Sequence, residues 1–397
     1  MRTKFSWRTG VTAVAVSLAM ILTPAAPALA AGDDLTPAQS KALYQRIEKL
    51  LPKNAEAKLA ALRDRLNIPD TDPRDTIEAI IDPNDYVCEE TEVAGYVREQ
   101  TAGLSQTDLL NLTVILMLDP ITYDALFFPE PEADRFFGAD GEYSKRIHRT
   151  FRGLKGFWDI DANRIELVPA HGSTLLDNDR VARALKLTLG VTQEAADDLA
   201  LYIGEIVDQD KFEHGENPLF TFNAFAFSAE GMAVPGVGEV SDKIVMGDGI
   251  LEGMKALGMN DVAPDAILGH EFGHHIQYQD GLTASDLPAP EASRRLELMA
   301  DTFGSYFLTH ADGKDFGVRR VKDFVRMFYD LGDCEFASAG HHGTPDQRAK
   351  AAEFGAVNSL LPPDRVLPSR TLDKRFEKAL PRIVAPDVET MTPEDAS

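Results

Sequence analysis

One short stretch constrains this chain more than any other: residues 267–280 read ILGHEFGHHIQYQD. The segment is apolar enough for a core, yet it carries three histidines and a glutamate. Pro264 suits the first turn of a helix, so the pattern predicts a helix over about 264–279, with His270 and His274 four residues apart on one face. A buried helix cannot carry unpartnered polar groups without a large penalty. The fold must therefore bring to this face either hydrogen-bonding groups for the imidazoles or a metal ion with a further ligand.

The residues His270-Glu271-Phe272-Gly273-His274 form an H-E-x-x-H pattern, in which both imidazoles reach one ion and Glu271 stands beside the open coordination position. Two neutral histidines and an anionic third ligand hold Zn²⁺ and leave a place for water, whose pKa the metal lowers towards 7 while a neighbouring carboxylate takes its proton. The next predicted helix, EASRRLELMADTFGSYFLTH, supplies candidates for the rest. Glu297 lies 23 residues after His274, and Asp301 lies four after Glu297 on the same helical face. Glu297 is read as the third ligand. Asp301 is read as the acceptor of a ligand histidine's outer N–H, which fixes the tautomer. The alternative pairs both acids with Arg294 or Arg295 on a solvated face. His275, about 100° around the helix from His274, points off the ligand face and is read as packing or surface. For the developing oxyanion the candidates are His341 and His342 in AGHHGTPDQR, together with Arg348; Thr344 there also reads as a helix N-cap. Tyr278 and Tyr306 are further candidates, while His171 and His214 read as loop histidines.

A chain of 397 residues holds one large domain with an appended region, or two domains. Residues 1–30 carry Arg2, Lys4 and Arg8, then an apolar run and a small-residue site ending at Ala30, which reads as a secretory signal peptide and places the mature protein in the envelope or outside the cell. No other segment is expected to span a bilayer. Residues 31–150 are expected to form a helical N-terminal region, a cap or a prodomain. Residues 151–380 are expected to form the metal-binding domain, and 381–397 a disordered acidic tail. The strand-like runs LFTFNAFAFS and DKIVMGDG precede the motif helix, and either can offer a sheet edge on which a peptide adds as a strand. The fold class is thus α+β, with a small mixed sheet over paired helices. The Asn111-Leu112-Thr113 sequon lies in an apolar helix and is read as accidental.

The formal charge is −24, and losing a leader with three basic and no acidic residues takes it to −27. No Lys/Arg cluster stands out along the sequence, so nucleic acid and anionic lipid are not expected partners. Cys88 and Cys334 are the only cysteines. An even pair in an exported chain points to one disulfide; the alternative use of Cys88 is as a thiolate that blocks the metal.

These residues look like the gluzincin metallopeptidases, whose third zinc ligand is a glutamate on a separate helix. The segments NAFAFS, DKIVMGDGILE and AILGHEFGHH resemble the family of CAAX prenyl endopeptidases and the bacterial membrane heat-shock protease. RLELMADTFGSYF with HHGTPDQR is similar to a family of neutral zinc metallopeptidases. The resemblance spans residues 220–355 and implies a zincin-like domain, one Zn²⁺ on His270, His274 and Glu297, Glu271 as general base, and accessory roles for His342 and Arg348. The implied substrate is a peptide or protein. A non-catalytic zinc-stabilised binding protein and a cell-wall peptide amidase are the rival readings. Gly269 departs from the first family, which has alanine there, and the Glu297 helix follows the motif without the usual insertion.

Overall fold

Capping residues set where the first helices begin. In the computed structural model, which describes residues 34–66, 91–333, 341–361 and 365–385, Thr36 and Gln39 close a capping box ahead of α1 (Pro37–Leu50). Ser105 and Asp108 do the same ahead of α4 (Gln106–Leu118). Between them lie α2 (Ala55–Leu66) and α3 (Glu92–Thr101). Asp119 ends α4 in a left-handed conformation (φ 45°) and caps α5 (Pro120–Phe127) by accepting from Thr122 N. Asn111 is fully buried and donates to Ser40 Oγ at 2.8 Å, so the sequon is spent on packing.

The run Gln106–Phe127 corrects one expectation. By length and composition it can cross a membrane, although 89% of its apolar window is buried inside the protein. A helix that is apolar all round belongs in a core as readily as in a bilayer, and the left-handed Asp119 divides this run into two shorter helices.

The chain continues through α6 (Ser144–Phe157), β1 (Ile165–Ala170), α7 (Asn178–Leu189), α8 (Gln193–Val207) and β2 (Ala224–Phe227). A short hairpin, β3 (Ala233–Val234) and β4 (Gly238–Glu239), leads into β5 (Asp242–Gly247). Six helices follow: α9 (Asp248–Ala256), α10 (Ala263–Asp280), α11 (Ala289–Thr309), α12 (Val318–Asp330), α13 (Pro345–Ser359) and α14 (Ser369–Ile383). The described protein is mostly helical with a small mixed sheet, in the expected α+β class.

Strand order is β1-β5-β2. β1 runs parallel to β5, with Ile165 opposite Asp242 and Ala170 opposite Gly247. β2 is antiparallel, with Ala224 opposite Met246 and Phe227 opposite Lys243. A central strand is covered on both faces, and Ile244, Val245 and Met246 are accordingly all buried. β5 therefore has no free edge, and of the two runs expected to offer one only β2 does. β2 is also shorter than expected, because Pro218 opens a 3₁₀ turn over Pro218–Thr221 that Asn217 caps at Leu219 N.

The two helices that carry the candidate ligands cross at small residues. A Cβ on Gly269 would lie 3.3 Å from Gly304 Cα, and one on Gly273 would lie 3.0 Å from Ala300 Cα. The glycine that departs from the resembled family is thus the one that lets α10 and α11 approach. On the far side of α11, a Cβ on Gly355 would lie 2.3 Å from Thr302 O, so α13 is seated as closely. α11 is held between α10 and α13.

One apolar core runs from Leu35 to Ile383, and α5 packs on β1, β5 and α7. The N-terminal helices are therefore built into the same core as the motif helix. The boundary expected at residue 150 falls inside α6, and that at 380 falls inside α14, which continues through Pro381. The leader, both cysteines and residues 386–397 of the acidic tail lie outside the described residues, and with them the expected disulfide.

Candidate metal centre

α10 is buried from Ala263 to Gln277. His270 Nε2 and His274 Nε2 lie 3.1 Å apart, and their rings stand nearly perpendicular at 87°. From α11, Glu297 places Oε2 at 3.2 Å from His270 Nε2 and Oε1 at 3.3 Å from His274 Nε2. The three groups thus form a triangle whose carboxylate corner is shared between two oxygens. Tetrahedral ligands at bonds of about 2.0–2.1 Å lie about 3.3 Å from one another, so these edges have the length that one small cation requires. The nearest ligand atoms of His270, Glu271 and His274 all lie within 4.8 Å of one another, a group that could hold a metal ion.

The outer ring nitrogens are fixed by different partners. His270 Nδ1–H donates to Asp301 Oδ1 at 2.7 Å. Asp301 in turn accepts from Arg348 Nε at 2.9 Å and from Nη2 at 2.7 Å, a bidentate pair. His274 Nδ1–H donates to Gln277 Oε1 at 2.9 Å, and Gln277 Nε2 donates across to Leu296 O on α11 at 2.6 Å. Both imidazoles are thereby turned with Nε2 inward. Sequence reasoning placed Asp301 correctly and missed Gln277, although its position three residues after His274 was a usable signal.

Arg348 requires a correction. It was expected to face the oxyanion, but it is buried behind Asp301, and its Nη1 donates to Leu331 O at 3.1 Å. It anchors the acid that orients His270. The solvated-face alternative also fails. Glu297 and Asp301 are buried, while Arg294 pairs with Glu291, and Arg295 with Glu377 at 2.5 Å.

Around the two imidazoles stand three carboxylates (Glu271, Glu297 and Asp301) and one guanidinium. Burial works against charge on His270, but hydrogen bonds to Asp301 and Glu297 outweigh it and raise its pKa to about 10. His274 is raised against the same burial by Glu297. The pocket thus demands positive charge at the two Nε2 atoms, which a proton or a dication satisfies. Glu297 is held well below the usual carboxylate range by His274 and His342, despite its burial. Burial pushes Glu271 up to about 7, with the His270 and His274 charges pulling the other way. A dication beside it would lower this value.

His342 stands at the edge of this group, where Glu297 feels its charge. Its Nδ1 and its backbone N–H each donate to Asp333 Oδ2 at 2.8 Å, which leaves Nε2 as the open ring nitrogen. His341 is fully buried and donates from Nδ1 to Asp333 Oδ1. Both imidazoles hold the Asp333 carboxyl well below its ordinary range, against the effect of burial. Asp333 went unnoticed in the sequence, where nothing local marks it. Thr344 and Gln347 form the capping box of α13. Tyr306 is buried, with its hydroxyl accepting from Leu367 N at 3.0 Å. Tyr278 donates to Ala226 O on β2 at 3.4 Å. His275 donates from Nε2 to Lys243 O on β5 at 3.0 Å, and burial lowers its pKa to about 4, a packing role as expected.

His171 is not a simple loop histidine. It is buried, with Nδ1 at 2.5 Å from Asp248 Oδ2 and Nε2 at 2.6 Å from Asp134 O. Both partners are acceptors, so both bonds form only with the imidazolium. Burial lowers its pKa, but the hydrogen bond to Asp248 and that carboxylate's charge outweigh it, and the net shift is upward. A folded-state value above the unfolded one of about 6.5 means that the stabilisation is complete below that pH and is lost as pH rises through the folded value. His171→Asn is therefore expected to flatten the decline of stability above about pH 6.5. Chemical denaturation of both proteins across that range tests this, and two parallel curves would refute it. His214, by contrast, is exposed beside Asp208 (2.8 Å) and Asp210 (3.1 Å), as a loop histidine should be.

Comparison of the chain with protein-family models, curated proteins and solved structures finds no match.

Proposed function

We propose that the chain is an exported zinc-dependent peptidase with a zincin-like active site. The observation that carries this reading is the 3.1–3.3 Å triangle of His270, His274 and Glu297, with Glu271 buried beside it. Bound there, zinc would polarise a carbonyl and lower the pKa of water. His270 and His274 hold the ion through Nε2 while Asp301 and Gln277 keep their tautomers. Glu271, buried beside the two imidazoles, takes a proton from the attacking water and returns it to the leaving amine. His342, whose Nδ1 is held by Asp333, is the candidate donor to the oxyanion. A peptide adds as a strand to the free edge of β2, whose Ala226 carbonyl already meets Tyr278 from the motif helix.

Native protein and Glu271→Gln, measured side by side for zinc content and for hydrolysis of quenched peptides, test this reading. Both are expected to hold about one zinc. The variant is expected to lose roughly 10²- to 10⁴-fold in kcat, the span of general acid–base catalysis, and a chelator should silence the native protein. Zinc bound without hydrolysis by either protein would favour the non-catalytic binding protein. Absence of zinc would overturn the reading.

A further inference from the structure

Helix α6 reads SKRIHRTFRGLKGF, with five Lys/Arg and no Asp or Glu, in a chain where acidic residues outnumber basic ones 64 to 40. The expectation that no basic cluster exists fails in three dimensions. Lys145, Arg146 and Arg149 of α6 line a cavity of about 460 Å³ together with Lys314, from the turn after α11, and Arg320 of α12. Asp265 and Glu142 are the acidic members of the wall. Asp265 is already committed: it is almost fully buried and bridges Arg146 at 2.9 Å and Lys314 at 3.0 Å. Glu142 faces Lys255 at 3.4 Å, and Arg320 pairs with Asp261 at 3.2 Å. Lys145 and Arg149 are exposed and have no ion pair among the described residues. They sit four apart on the helix, where like charges repel.

We propose that this cavity binds a compact oligoanion, a small molecule with two or more phosphate or carboxylate groups. An anion between Lys145 and Arg149 removes their repulsion, and Lys314 and Arg320 complete a cationic rim around it. The depression is open to solvent, so a small charged ligand can reach its rim. Long polyanions are disfavoured, because the net charge of −24 repels whatever extends beyond the basic wall. The inference does not rest on the metal centre.

The test is calorimetric titration of the zinc-loaded full chain at low ionic strength with fructose 1,6-bisphosphate and, separately, with tricarballylate. Both probes are weak chelators, and zinc content is checked afterwards. One-to-one binding is expected. Lys145→Glu with Arg149→Glu should weaken it by up to about 30-fold, as loss of two exposed charge contacts implies. Arg319→Glu with Lys322→Glu, an exposed basic pair of α12 outside the cavity, should leave it unchanged. Both positions of each pair are surface sites, and thermal unfolding verifies that the variants fold. Tighter binding of the bisphosphate would assign a phosphate ligand, and tighter binding of the tricarboxylate a carboxylate ligand. No binding of either probe, equal loss in the two double variants, or attachment to anionic vesicles that the bisphosphate does not displace would overturn the proposal.

Discussion

Arg348→Met is expected to destabilise the fold by about 3–5 kcal/mol, the usual result of stripping one partner from a buried ion pair. Arg348 is 4% exposed and Asp301 fully buried, so solvent cannot take over the lost contacts. Asp301 is then left with only its bond to His270 Nδ1. The same variant should bind zinc about 10- to 100-fold more weakly, since the acid that orients the His270 imidazole has lost its own anchor. Urea denaturation of the chelated protein and a competitive zinc titration measure the two effects separately. Adding Asp301→Leu should restore part of the stability, because no buried charge is then orphaned. It should restore none of the zinc affinity. If zinc affinity returned together with stability, Asp301 would be a packing residue with no role in orienting His270.

Gly304→Val carries the second large effect. A Cβ at this position would lie 2.9 Å from His270 N and 3.0 Å from Gly269 C, both backbone atoms that cannot rotate away. α10 and α11 must then separate. Overpacking of this kind costs about 1–3 kcal/mol, but the greater loss is expected at the metal. His270 and His274 ride on one helix and Glu297 on the other, so separation lengthens two of the three edges of the triangle. Zinc per chain should fall towards zero at substoichiometric chelator while far-UV dichroism still reports a helical fold. Gly156→Ala is the control, since a Cβ there meets nothing within 4 Å and an exposed helix gains from the exchange. A Gly304→Val protein that retains zinc would mean that the crossing distance does not set the site.

What could be read in advance followed the range of the forces involved. The motif helix was expected over about 264–279 and is observed at Ala263–Asp280, because proline placement and apolar spacing are local. Glu297 and Asp301 were legible because four-residue spacing puts them on one face, whichever helix they meet. Arg348 and Asp333 were not. The first acts on Asp301 across 47 residues of chain, and the second acts on His342 across nine, so neither contact leaves a periodic trace. Helix α6 was overlooked for a similar reason. Its basic residues look dispersed until α12 and the turn after α11 are laid against it. The supposed boundary near residue 150 came from a change in composition, but cores are closed by packing, and α5 is as much a wall of the sheet as α10 is.

The chain of contacts His270–Asp301–Arg348 also carries a consequence for the order of assembly. All three triangle groups and Glu271 are present once residue 297 has been made, but the guanidinium that steadies Asp301 arrives on α13, close to the end of the chain. A product that stops short of Arg348 therefore holds every candidate ligand and lacks the guanidinium that pairs with the acid behind them. Its buried carboxylates repel one another, and α11 has lost the neighbour on its outer side. The last group to join the centre in chain order is thus the one that pairs with Asp301, so a chain ending before α13 leaves that buried carboxylate without its guanidinium.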